Sequence, residues 1–333
     1  MSQPLPTGTR DVLAQEMREL RAIESTLLEL FADRGYEEVA TPTIEYQEVI
    51  AQGEGPEGTA TYRFLDESGS VLALRNDMTV PIARMVAGRF ADQEGPFRLA
   101  YSGSVYRRVR PQRGQLREFR QIGVELVGAA APAGTVELIE VLVASLDAVG
   151  LERAVIGLGD GDLFRQVLDE FEVEGAARDR ILECLAMHDL VAIEAEAGDL
   201  AGLGDAERST IVALSDLRGG PEVLDRARSI GGPAVERASA KLAETMEGLA
   251  AAGIADRVQV DFGLLRDLGY YTGAILEVYD PAVGQAIGGG GRYDDLLGRF
   301  GRPLPAAGFA LFLERLHIAQ AAAAEARGEE GQP

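Results

Sequence analysis

Two long stretches rich in β-forming residues, Phe97–Arg107 and Arg117–Val127, flank a polar loop at Arg108–Leu116 that carries Pro111 and Gly114. Strands joined this way pair antiparallel, and a lone pair needs further strands or a covering layer to be stable in water. Helical cover is written on both sides. Residues 14–34 set Met17, Leu20, Ile23, Leu27, Leu30 and Phe31 at helical spacing, with Gly35 as the stop. Pro132–Val149 repeats the pattern with Val136, Ile139, Leu142, Val143 and Leu146. Between them, Tyr36–Val49 reads as extended, with Pro42 marking an edge or interface strand. Tyr62–Leu65 and Val71–Leu74 read as a hairpin about Asp66-Glu67-Ser68-Gly69, and Met78–Arg89 as a short helix.

Residues 151–250 change character. They hold 21 acidic and 10 basic residues, few aromatics, and helical spacing at Asp162–Glu170, Asp179–Ala186 and Pro233–Ala252. Strand patterns return at Val258–Phe262, Tyr271–Tyr279 and Ala307–Leu313. The order predicts an α+β chain: an antiparallel sheet flanked by helices and interrupted by a helical insertion. We expect a discontinuous core from 1–155 and 255–320, a mostly helical insertion at 156–254, and a disordered tail at 321–333.

Composition narrows the chemistry. The 333 residues carry a net charge of −22, which disfavours loose binding to nucleic acid or anionic membrane. One cysteine, Cys184, rules out an internal disulfide and fits a reducing compartment. With two histidines, His188 and His317, a Cys/His zinc site lacks ligands. Lys241 is the sole lysine, and no Gly-x-x-x-x-Gly-Lys-Ser/Thr loop exists. No metal or cofactor is expected. With neither a membrane-spanning run nor a signal peptide, the expected location is the cytoplasm.

Three local features stand out. Seven arginines (98, 107, 108, 110, 113, 117 and 120) against Glu118 suit an anionic ligand or partner. A solvated hairpin paired with acidic neighbours explains them as well. Gly288–Gly291 before Arg292-Tyr293-Asp294 permits either a turn or close backbone approach. Gly157-x-Gly159-x-Gly161 lacks the spacing of a dinucleotide loop. Arg266 with Tyr270 and Tyr271 could line a polar pocket, or the tyrosines could alternate between core and solvent along a strand. His188 and His317 read as surface or capped residues, and Cys184 as a small core residue.

Taken in order, these segments resemble the catalytic core of histidyl-tRNA synthetase, a class II aminoacyl-tRNA synthetase. Thr41-Pro42-Thr43-Ile44-Glu45 is similar to its first, dimer-forming motif. Tyr106-Arg107 through Arg117-Glu118-Phe119-Arg120-Gln121 resembles the second, and Gly308-Phe309-Ala310 through Glu314-Arg315-Leu316 the third. Pro6–Asp11, Arg266 with Tyr270-Tyr271, and Gly289–Asp294 resemble segments of the histidyl enzyme. Three departures accompany the matches. Only about a helix and a tail follow the third motif, so no anticodon-binding domain is expected. Val109 stands where the synthetase has an acid that meets the adenine amino group. Phe312 stands where a glycine lets adenine pack.

The resemblance implies a histidine pocket. Asp77 would hold the ammonium, with Thr79 beside it. Arg107 and Gln121 would lie near the carboxylate and amino groups. Glu125 would face the imidazole, and Arg266, Tyr270 and Tyr271 would complete the wall. Asp267 and Gly269 exchange the order usual in that run. A retained amino-acid pocket beside a blocked base pocket is similar to the ATP phosphoribosyltransferase regulatory subunits, which are paralogues of the synthetase. That resemblance implies a non-catalytic chain that activates a short-form catalytic subunit and conveys feedback inhibition by L-histidine. It also implies dimers through the first motif, a hetero-octamer with the catalytic chains, and no tRNA or membrane partner. The alternatives are a truncated synthetase-like enzyme that makes histidyl-adenylate for a non-tRNA acceptor, and a scaffold with a vestigial pocket.

Overall fold

The computed structural model describes residues 4–54, 61–108, 116–200, 202–266, 269–326 and 328. Helix α1 (Ala14–Asp33) ends at Gly35, whose φ of +80° suits glycine. Two short strands follow, β1 (Glu37–Glu38) and β2 (Ile44–Tyr46), and then α2 (Gln47–Glu54). Tyr36–Val49 is therefore extended only in part. The hairpin of β3 (Arg63–Leu65) and β4 (Val71–Leu74) turns on Asp66, whose Oδ1 accepts from the backbone N–H groups of Ser68 and Ser70. Next come α3 (Thr79–Arg89), β5 (Phe97–Tyr106), β6 (Glu118–Val127), α4 (Ala133–Ala148) and β7 (Val155–Asp160). Val109, and the loop from 109 to 115, lie outside the described residues.

The acidic stretch forms α5 (Leu163–Glu170), α6 (Gly175–Ala186), α7 (Leu190–Asp199), α8 (Asp205–Ser215), β8 (Arg218–Gly219), α9 (Val223–Ile230) and α10 (Pro233–Ala251). The chain returns through β9 (Val258–Asp261), β10 (Ala274–Tyr279), β11 (Gly288–Arg292), α11 (Leu296–Arg299), β12 (Ala306–Phe312) and α12 (Leu313–Ala326). Helix α12 thus runs six residues into the stretch read as a tail. Residue 327 and residues 329–333 are outside the described set.

Nine strands form the main sheet in the order β1-β5-β6-β12-β11-β10-β7-β9-β8. Only β1–β5 and β7–β9 pair parallel. A smaller sheet has the order β2-β4-β3. The glycines of 157–159 sit in the central strand β7, between β10 and β9, which agrees with their lacking the spacing of a dinucleotide loop. Gly288–Gly291 likewise form the strand β11 and not a turn. Its glycines let neighbouring groups approach: a Cβ on Gly289 would lie 1.8 Å from Arg266 Nη1.

One sheet face packs against helices, with Leu27 and Phe31 of α1, Leu142 of α4 and Leu316 of α12 meeting Ile122, Val124, Phe309 and Leu311. The other carries a second cluster in which Val80 and Val86 of α3 meet Leu99, Tyr101, Tyr270 and Tyr293. Two of the clustered arginines serve this frame. Arg98 forks onto Glu137, with Nε–Oε1 at 2.6 Å and Nη2–Oε2 at 2.8 Å, tying β5 to α4. Arg120 pairs with the buried Glu24 of α1, which also accepts from Ser102 at 2.6 Å. For these two, the pairing explanation of the arginine excess holds. Arg110 and Arg113 are outside the described residues.

Candidate functional site

Strand alternation builds the site. On β6, Ile122 and Val124 point into the helix-covered core, which turns Gln121 and Glu125 to the opposite face. On β12, the same alternation brings Gly308, Ala310 and Phe312 to that face. The β4–α3 junction adds Asp77 and Thr79, the end of β5 adds Arg107, and the segment before β10 adds Arg266, Tyr270 and Tyr271. Every predicted pocket residue except Glu125 lines one cavity of about 20 Å³. That is room for about one water, less than an amino acid fills. Asp267 lies outside the described residues.

Glu125 is the polar floor behind this lining. Thr79 donates to its Oε1 at 2.8 Å, and the Tyr293 hydroxyl donates to Oε2. A Cβ on Gly308 would fall 1.7 Å from Oε2, so glycine is what leaves room for the carboxyl. Burial pushes the Glu125 pKa up to about 8, against the opposing hydrogen bonds of Tyr293 and Thr79. The group is therefore largely neutral at pH 7. Burial raises Asp77 as well, while its Oδ1 accepts from Val80 N–H at 3.1 Å and its Oδ2 from the Tyr270 hydroxyl at 2.9 Å.

Two buried atoms in the wall have no hydrogen-bond partner among the described residues: Gln121 Oε1, an acceptor, and Arg266 Nε, a donor. Arg107 donates to the Asn76 carbonyl at 3.1 Å. The rings of Tyr270 and Tyr271 lie 4.9 Å apart, and Arg266 sits 5.9 Å from the Tyr271 ring. Both tyrosines thus reach the pocket, from a segment that precedes the strand instead of forming it. Tyr293 and Glu277 belong to the same constellation and were not assigned from sequence. Tyr293 sits in the quoted Gly-Gly-Gly-Arg-Tyr-Asp run, which was the signal available.

A second cavity adjoins the first, about 280 Å³, lined by Arg107, Arg266, Arg315, Phe119, Phe312 and Glu277 among others. Phe312 fills its wall. Its ring meets Phe119 edge-on at 5.5 Å and 82°, Arg315 stacks over it at 4.7 Å, and Arg107 lies 5.2 Å from Phe119. Four side chains form a continuous stack, each contact contributing roughly 0.5–1.5 kcal/mol.

The histidyl-tRNA synthetase family model matches residues 8–316. The ATP phosphoribosyltransferase regulatory subunit of Moorella thermoacetica is 45% identical, over 97% of this chain and 83% of that protein. The chain belongs to the ATP phosphoribosyltransferase regulatory subunit family. A structure described as an ATP phosphoribosyltransferase regulatory subunit/histidyl-tRNA synthetase, from Bacillus halodurans, matches at TM-score 0.85 and 32% identity, covering 95% of this chain and 83% of that one. A histidine–tRNA ligase subunit from Alicyclobacillus acidocaldarius matches at TM-score 0.87 and 30% identity, over 99% of both. The class II synthetase-like fold shared across this family is the frame described above.

Among the described residues no helix is long and apolar enough to cross a membrane. No cluster of three or more His, Cys, Asp or Glu among them could hold a metal ion. His317 pairs with Glu19 at 2.7 Å. His188 is a surface residue, as expected, and its Nε2 lies 3.4 Å from Glu277. Arg292 is buried and braces Asp294 at 2.6 Å and the Ala129 carbonyl at 3.0 Å, a structural duty.

Gly308→Ala drives a methyl group into Glu125. We expect the variant to fold with a lowered unfolding midpoint and to lose ligand binding at this cavity, read by calorimetry. The raised Glu125 pKa also sets a pH dependence. The folded chain holds a proton that the unfolded chain releases, so stability falls as pH rises from about 4.5 to about 8. Urea titrations across that window should show a slope of up to about 1.4 kcal/mol per pH unit from this group, and Glu125→Gln should remove it.

Proposed function

We propose that this chain binds free L-histidine in the smaller cavity and uses its occupancy to regulate a separate catalytic ATP phosphoribosyltransferase chain. It does no chemistry of its own in that cavity. The observation that carries the reading is a complete set for a zwitterion beside a larger cavity whose wall carries Phe312, where the resembling synthetase has a glycine against the base. Asp77 suits an ammonium and Arg107 or Arg266 a carboxylate. Gln121 Oε1 and Arg266 Nε supply an acceptor and a donor with no other partner. A neutral Glu125 can donate to an imidazole nitrogen, and a charged one can accept from it. The kinship with regulatory subunits of ATP phosphoribosyltransferase supports the partner. Regulation then needs only that histidine bind one conformation of the assembly better than another.

The reading includes self-association. The small sheet exposes Ile44, Tyr46, Leu65 and Val71, an apolar group around the first motif that a second copy would cover. A second functional reading has one specific observation in its favour. Arg107, Arg266 and Arg315 all border the larger cavity, as an enzyme forming histidyl-adenylate would require. Histidine-dependent pyrophosphate exchange would establish that enzyme; its absence removes it.

The direct test mixes this chain with a short-form catalytic subunit. Activity should depend on the mixture and fall on adding L-histidine. Activity of the catalytic chain alone equal to that of the mixture, or insensitivity to histidine, contradicts the proposal. Asp77→Asn keeps an acceptor for Val80 N–H but removes the charge. We expect histidine affinity to fall about 10- to 100-fold, the loss of one charged hydrogen bond, with assembly by size-exclusion chromatography unchanged.

A further inference from the structure

One carboxylate joins the pocket wall to the helical segment. Glu277 on β10 is largely buried, and its two oxygens serve different neighbours. Oε1 lies 3.8 Å from Nη1 of Arg266. Oε2 accepts from the Tyr279 hydroxyl at 2.6 Å and lies 3.4 Å from Nε2 of His188. His188 sits in the turn between α6 and α7, 89 positions earlier in the chain. Its φ is +53°, a left-handed conformation uncommon for a non-glycine residue.

The charges around this contact are few. Glu277 on β10, Asp261 on β9 and Arg218 on β8 face His188. The hydrogen bond with Glu277 raises the imidazole pKa above its ordinary value, and burial opposes the rise. Burial pushes Glu277 upward, but His188, Arg266 and Tyr279 together hold it below the usual carboxylate range. Arg266, in turn, rests in the gap above Gly289 in a cavity of about 20 Å³, too small for an amino acid unless such side chains shift.

We infer that Glu277 is a positioning residue that couples occupancy of the pocket to the α6–α7 turn. A ligand carboxylate that draws Arg266 toward itself leaves Glu277 to His188, 3.4 Å away, with Arg315 the other cation that faces it across the larger cavity. The His188 contact then tightens and pulls the turn onto the sheet. The inference rests on the histidine reading above, because it needs an anionic group at Arg266.

The chain has two histidines, so each imidazole gives a resolvable signal in the uniformly ¹⁵N-labelled full-length protein. Titrated by NMR, His188 should shift its midpoint upward when unlabelled L-histidine is added, while His317, paired with Glu19, stays fixed. Glu277→Gln should lower the His188 midpoint in the free protein and abolish the ligand-induced shift. His188→Asn, which tolerates the left-handed turn, gives a second readout. The ratio of wild-type to variant affinity should rise as pH falls through the His188 titration, because binding takes up a proton there. The ligand's own imidazole titrates in both proteins and cancels from that ratio. Calorimetric binding of L-histidine with an unmoved His188 midpoint, or a flat ratio, overturns the coupling and leaves the pocket reading intact. No binding of L-histidine at all overturns the pocket reading, and the coupling with it.

Discussion

A carboxyl group held in a dry interior organises this half of the molecule. Glu125 lies on β6, within the main sheet. Its neighbours are the hydroxyls of Thr79, Tyr293 and Tyr101, the carboxyl of Asp77 and the bare backbone of Gly308. An isolated charge there would be costly, so the group takes up a proton at neutral pH. The result is a polar floor that can offer or accept a hydrogen bond according to what lies above it. Asp77 stands close by, similarly buried, with Tyr270 as its donor. Two acids in one apolar cluster are tolerable only while hydrogen bonds or a bound cation compensate them.

Selectivity follows from what lies to either side. In the smaller cavity Gln121 Oε1 and Arg266 Nε lack partners among the described residues, so a ligand that matches them gains and one that leaves them bare loses. On the other side, Phe312 packs between Phe119 and Arg315. A ligand that displaced that ring would give up its aromatic and cationic contacts. Three arginines, Arg107, Arg266 and Arg315, line the cavity of about 280 Å³ beside this stack, so positive charge gathers there.

Much of this was legible in the residues themselves. The Phe97–Val127 hairpin, helices at 14–34 and 132–149, and the return of strands after residue 257 follow from periodicity alone. The convergence of Asp77, Gln121, Arg266 and Tyr270 does not, because those positions are brought together by strand pairing across nearly 200 residues; only likeness to a known family could connect them. Gly288–Gly291 left a turn and close backbone approach both open, and the run lies in a central strand. At Gly289 the absent side chain makes room for Arg266. His188 was passed over for a similar reason, since its partner Glu277 lies on a strand that sequence order places far away.

The account stands or falls on which small molecule the protein accepts. Calorimetry on one preparation, titrated in turn with L-histidine and with ATP, addresses that directly. The account predicts saturable heat with L-histidine and none with ATP at millimolar concentration. Micromolar binding of ATP, with Phe312 displaced from Phe119, would contradict it.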